Sequence, residues 1–178
     1  GGIWKGEAAD SYLIKFIRKG RMQMPLDFRV YTHSDSIMDF YIPNTWFEKP
    51  TNATILPRWI GWDKLKSSYT AEIIVPGGIQ KLVIDTSMRM ADINMLNNSS
   101  QFPVNIRFDS RISNPVDWKR YEVFMRPDLW YNAFDGVKAG LSVNGNYMRQ
   151  FHVFDLAAWM NTGLAQMNID KRDLLFHD

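Results

Sequence analysis

There is no cysteine in this 178-residue sequence, which removes thiol nucleophiles, cysteine-ligated zinc and disulfide staples from consideration. Histidine is nearly as scarce. Only His33, His152 and His177 occur, and none precedes a glutamate, so the H-E-x-x-H arrangement that sets two zinc ligands on one helical face is missing. Neither a G-x-S-x-G elbow nor a phosphate-cradling glycine loop is present. No apolar run approaches the ~20 residues of a membrane helix, and no signal-peptide pattern opens the chain. An excess of one charge is also lacking. The formal net charge is +2, and the tightest basic group, Arg18-Lys19-Gly20-Arg21, makes one turn rather than a face, so no nucleic-acid partner is expected.

What the chain has in quantity is aromatic residues: seven Trp, seven Tyr and eleven Phe, a composition that favours β-sheet. Ser11 to Arg18 reads as a strand closed by Lys19-Gly20. Leu26 to Tyr31 alternates, with Leu26, Phe28 and Val30 on one side and Asp27, Arg29 and Tyr31 on the other, the pattern of a half-buried strand. Ile37 to Ile42 returns after the turn at His33-Ser34-Asp35-Ser36, and Pro43 ends it. Residues 43 to 68 hold Pro43, Pro50, Pro57, Gly61 and the three tryptophans Trp46, Trp59 and Trp62. That connection far exceeds the usual ~4 to 6 residues, so its rings are expected to cover a sheet edge or meet a partner. Tyr69 to Val75 and Ile79 to Ile84 form the next pair around Pro76-Gly77-Gly78, and Gln80 to Asn98 acts as a hinge in which Asp85-Thr86-Ser87 stops the strand. Short strands at this spacing, without helical periodicity, predict an all-β chain: an immunoglobulin- or fibronectin-like antiparallel sandwich over residues 7–98.

Residues 99–178 read as a second β-rich region, the start of a larger sheet or barrel that belongs to a longer chain. Pro103 to Phe108 is a weak strand or link, Tyr121 to Met125 is a strand, and Leu129 to Phe134 is a further run beyond Pro127. Asp135-Gly136 is the strongest hairpin signal. After it, Val137, Ala139, Leu141, Val143, Gly145 and Tyr147 share one face, while the other is polar or small over about eleven residues. The pattern fits a strand of an outer-membrane barrel and also a long hairpin of a soluble sheet, and on pattern alone the soluble form leads. Phe151 to Met160 is compatible with strand or short helix and is taken as a strand.

Candidate chemistry is thin. His33-Ser34-Asp35 holds the three residue types of a hydrolase triad, but sequence neighbours rarely face one another and a turn explains them better. Asp85, Asp92, Asn94, Asn97 and Asn98 supply oxygens of the kind calcium takes, without the spacing of a calcium loop. The pairs Met22/Met24 and Met88/Met90 fit core filling better than soft-metal binding. Trp46, Trp59 and Trp62 are the candidate contacts for a ligand or partner, and with Trp130 they motivate a second reading, a free-standing carbohydrate-binding or adhesion module. A glycoside hydrolase with paired carboxylates is a third and weakest reading, since no Asp or Glu stands out.

The order Lys19-Gly20, Met24-Pro25-Leu26-Asp27-Phe28-Arg29-Val30, Phe40-Tyr41-Ile42-Pro43, Lys81-Leu82-Val83-Ile84-Asp85, Met90-Ala91-Asp92-Ile93-Asn94 and Asn97-Asn98 resembles a particular β-sandwich. It is the one that follows the catalytic domain in exported gluzincin metallopeptidases similar to aminopeptidase N. Thr86 stands where that pattern has proline. Arg126 to Asn132 with Asp135 to Leu141 is similar to the opening strands of a surface-antigen-like barrel. The resemblance implies a non-catalytic C-terminal accessory region that braces or anchors a catalytic domain of the same parent protein. No cofactor is expected in this chain, zinc belonging to the catalytic domain. The setting implied is exported: periplasm, outer membrane or cell surface, with the C-terminal strands as an outer-membrane contact.

Overall fold

The computed structural model describes residues 1–110 and 114–165. They are all-β apart from one short 3-10 turn and divide into two compact units, Gly1–Phe102 and Pro103–Asp178. The first unit carries β1 (Gly2–Lys5), β2 (Ser11–Ile17), β3 (Leu26–Thr32), β4 (Ile37–Ile42), β5 (Thr54–Ile55), β6 (Ser68–Ile74) and β7 (Ile79–Ile84). They make two sheets, ordered β1-β2-β6 and β5-β4-β3-β7, antiparallel except for the two-residue addition of β5 to β4. This is the expected sandwich.

Alternation along each strand decides which side chains enter it. Ile14 and Phe16 of β2 and Ala71 and Ile73 of β6 come from one sheet; Leu26, Phe28 and Val30 of β3, Phe40 and Ile42 of β4 and Leu82 of β7 come from the other. The Phe28 ring stands 5.0 Å from Phe16 across the sheets and 5.0 Å from Phe40 on the neighbouring strand. Offset and tilted rings at that separation are the favoured arrangement for aromatic pairs.

The hinge at the end of β7 is built by Asp85. Its buried carboxylate accepts the backbone N–H of Arg89 (3.0 Å) and Met90 (2.7 Å), closing the turn that sequence reading placed there. The chain then returns to β7: Ile84 N–H donates to Asn98 O (2.7 Å) and Ser100 N–H to Leu82 O (2.9 Å). These bonds carry the first unit past residue 98 to Phe102. At the other end β1 pairs with β2 from Gly2 to Lys5, so the sandwich also begins before residue 7.

Tyr69 anchors the long connection by donating its hydroxyl to Pro57 O (2.7 Å), and burial raises its pKa above 10.0. A raised folded pKa favours the neutral phenol, so this contribution is complete below about pH 10 and is lost as pH rises through the raised value. Urea midpoints between pH 8 and 12 are therefore expected to fall less steeply for Tyr69→Phe than for the unaltered chain; parallel curves would contradict the assignment.

The second unit is one four-stranded sheet, ordered β11-β10-β9-β8, from β8 (Val104–Phe108), β9 (Tyr121–Asn132), β10 (Gly136–Tyr147) and β11 (Phe151–Asn161). β9, β10 and β11 form an antiparallel meander, whereas β8 runs parallel to the first residues of β9. Pro127 does not break β9, although it interrupts the sequence pattern. Tyr121 donates its N–H toward β8, to Pro103 O at 2.8 Å, and alternate residues point the same way, so Pro127 lacks its donor where β8 has already ended. At the hairpin, Asn132 Oδ1 accepts from Phe134 N–H (2.9 Å) and Asp135 N–H (2.7 Å), and Gly136 takes the left-handed conformation at φ 73°. The 151–160 segment is the returning strand, with its own outer edge unpaired among the described residues.

Candidate functional site

The residues singled out for chemistry do not converge. Ser34 shares a hydrogen bond with the Thr32 hydroxyl (2.9 Å) inside the β3–β4 turn rather than with His33 or Asp35. Asp92 Oδ1 accepts Asn94 N–H (3.0 Å) and Asn94 Oδ1 accepts Leu96 N–H (3.2 Å), so these oxygens cap local backbone around the turn Met95–Asn97. Among the described residues there is no group of three His, Asp or Glu placed to hold a metal. His177 lies outside the described residues.

The three loop tryptophans part company. Trp59 is 8 % exposed and belongs to the sandwich core; its indole N–H donates to Lys66 O (2.8 Å), Tyr69 lies 5.5 Å away and Arg18 sits over its ring at 5.6 Å. Every part of the ring is engaged, so Trp59 offers no platform to a ligand. Trp46 and Trp62, by contrast, are 78 % and 63 % exposed. Thr45 Oγ1 accepts from Gly61 N–H at 3.0 Å, which places the two tryptophans on adjoining loops. Gln23 locks the same end of the sandwich, accepting from Asn44 Nδ2 (3.2 Å) and Thr45 Oγ1 (2.9 Å), and Arg18 donates to Asp63 O (2.7 Å). Phe47, Ile60 and Leu65 are exposed there as well. Trp130, the fourth tryptophan of the carbohydrate reading, sits in the second unit with Lys138 Nζ 5.4 Å from its ring centre.

Register makes the second unit's sheet two-faced. Val104, Ile106 and Phe108 of β8 pair with Tyr121, Val123 and Met125 of β9. Val123, Met125, Pro127, Leu129 and Tyr131 then pair with Gly145, Val143, Leu141, Ala139 and Val137 of β10. Four of these pair onward with Phe154, Leu156, Ala158 and Met160 of β11. Directly paired residues share a face, so one side of all four strands is apolar without interruption. It is open: Ile106, Phe108, Leu129, Leu156 and Met160 are all exposed. Phe154 covers Gly145, whose missing side chain makes room for the ring, and stacks on Tyr121 at 6.4 Å.

The opposite face is mainly polar, with Asn105, Arg107, Glu122, Arg126, Asp128, Ser142, Asn144 and Asp155, and also carries the buried Phe124 and, further along, Trp130, Ala157 and Trp159. Glu122 is only 1 % exposed; Arg107 Nη1 approaches its Oε1 at 3.5 Å and also donates to Pro115 O at 3.3 Å. Arg126 pairs with Asp109 at 3.1 Å, and Asn114 Nδ2 donates to Asp109 Oδ1 at 3.0 Å. The β8–β9 connection is thus fastened by charge to the polar face, and it reaches the other face only at one end, where Tyr147 donates its hydroxyl to Trp118 O (2.9 Å) and Tyr121 and Tyr147 are buried; the rest of the apolar face stays open.

Sequence reading found the apolar side of β10 alone. The other three strands join it only through register, which depends on which residues pair. Comparison with protein-family models, curated proteins and solved structures finds no match.

Proposed function

We propose that this chain is a non-catalytic accessory region that anchors a larger exported protein to a membrane, its second unit forming part of the wall of a β-barrel. The observation that carries this reading is the unbroken apolar face of the four-stranded sheet, set against a polar and ion-paired opposite face. Strand length agrees. β11 has 11 residues, which at about 3.4 Å per residue and a tilt of about 45° rise roughly 26 Å, close to the ~25 Å apolar band of a barrel. Ordinary globular strands average about 5 to 6 residues. On the apolar face, exposed aromatic rings stand near both ends, Tyr131 at one and Phe151 at the other, in the positions where such walls carry their girdles. The free edge of β11 is where a further strand would add.

The parent protein is proposed to be a zinc metallopeptidase of the gluzincin kind, on the sequence resemblance alone, with metal and catalytic groups outside this chain.

Because the chain has no cysteine, single cysteines report positions cleanly. An environment-sensitive dye on Leu156→Cys should be quenched by lipids brominated deep in their acyl chains, and one on Asn144→Cys, on the polar face beside it, should not. Leu156→Arg should weaken membrane association by about 2–4 kcal/mol if the site lies near the bilayer centre. Equal quenching at both positions, or an arginine variant that binds unchanged, would sink the proposal.

A further inference from the structure

The end of the sandwich that carries Trp46 and Trp62 combines two features seldom found together on an inert surface. Its exposed side chains are large and apolar, Trp46, Phe47, Ile60, Trp62 and Leu65, yet they project from loops rather than from a strand edge. Those loops are held by the Thr45–Gly61 and Gln23–Thr45 hydrogen bonds and by Arg18 donating to Asp63 O and Leu65 O, so the apolar tips are presented on a firm base. The second feature is charge. Lys64 and Lys66 are exposed on the loop of Trp62, and Lys19 on the β2–β3 connection that Arg18 ties to that loop; among the described residues no carboxylate pairs with them. The acidic groups nearby are already engaged: Asp63 faces Arg21 at 3.6 Å and Glu48 binds Arg58 at 2.7 Å. The chain's formal charge is only +2, so this end concentrates positive charge that the rest of the molecule does not show.

We infer that this loop end of the sandwich docks on the surface of an anionic lipid bilayer, the tryptophans and aliphatic tips entering the headgroup boundary while Lys19, Lys64 and Lys66 meet lipid phosphates. Trp is the residue that settles at the boundary between water and acyl chains, its ring apolar and its N–H wet. Lysine contributes there twice, since its stem lies along apolar surface while its ammonium reaches the headgroups. A sugar ligand accounts for stacked aromatics but leaves the uncompensated lysines without a role. A second copy of this chain would bring like charges together. Charge complementarity therefore selects the anionic membrane. The inference concerns the first unit alone and does not depend on the second unit entering a bilayer.

The test uses the full chain with a single cysteine, Ile60→Cys, carrying an environment-sensitive dye, and a control at Asp35→Cys in the turn at the opposite end of β3. The vesicles are phosphatidylcholine with or without about a third phosphatidylglycerol. With anionic vesicles the dye at 60 should shift to the blue and the dye at 35 should not. Each exposed lysine changed to glutamate should reduce the apparent affinity by at least about fivefold, the effect of one basic charge near such a surface. Added salt should weaken the response. Trp46→Ala with Trp62→Ala should abolish most of the shift while the sandwich still unfolds cooperatively in urea. A response at 60 that ignores lipid charge, an equal response at 35, or shielding at 60 that grows with protein concentration without lipid would overturn the proposal, the last by assigning the patch to a second copy.

Discussion

Phe28→Ala is expected to cost the sandwich about 3–5 kcal/mol, the usual range for emptying an aromatic site in a packed core. Phe28 is the ring shared between the sheets: it lies 5.0 Å from Phe16 in one and 5.0 Å from Phe40 in its own. Removing it deletes both aromatic pairs and leaves a space within the close-packed cluster that also holds Ile14, Val30 and Ile42, strand residues whose backbones are fixed by their sheets. A loss of that size is a large share of the ~5–15 kcal/mol that holds a typical domain together. Urea unfolding of the first unit, followed through exchange of the β3 amides, should show it. A change under about 1 kcal/mol would mean that the two sheets do not close around this ring.

Arg107→Met is expected to destabilise the second unit by about 3 kcal/mol, the low end of the range for stranding a buried charge, because Arg107 is itself partly exposed. Glu122 is the residue left behind, at 1 % exposure and with no hydrogen bond to its Oε1. Methionine preserves most of the volume of the arginine stem, so the loss reports charge rather than packing. Changing Glu122→Gln in the same chain should recover most of the stability, since a neutral amide is far cheaper to bury than an unpaired carboxylate. The difference between single and double variants isolates the pair. If Arg107→Met is silent, or the second change gives no recovery, the Arg107–Glu122 approach is incidental and the polar face is held by the Arg126–Asp109 pair instead.

The strands of the sandwich were legible because period-two alternation and turn residues act locally. β3, β4 and β7 lie where Leu26, Ile37 and Ile79 open their runs. β1 was missed because two glycines give no alternation to read, and it forms through pairing with Ile14 and Lys15 of β2. Pro127 misled for a related reason: whether a missing donor matters depends on the neighbouring strand, and β8 stops short of it. The same dependence on partners governs the tryptophans. Trp46, Trp59 and Trp62 look alike in sequence, yet one fills the core and two stand in solvent, because only Trp59 meets Tyr69 and Arg18.

The pairing of β2 with β6 also sets an order of events. Ser11 lies opposite Ile74, and its hydroxyl meets Glu72, 61 residues further along. β3 likewise waits for β7, whereas β4 reaches it through a short turn. As the chain leaves the ribosome, the β3–β4 hairpin can therefore form early, but neither sheet is complete until residues 68–84 have emerged. Until then β2 offers Ile14 and Phe16 to solvent with one edge unpaired, the condition in which strands find wrong partners. Closing a loop of that length costs only slightly more than closing one half as long, so the delay is a hazard of timing and adds little to the equilibrium cost of folding.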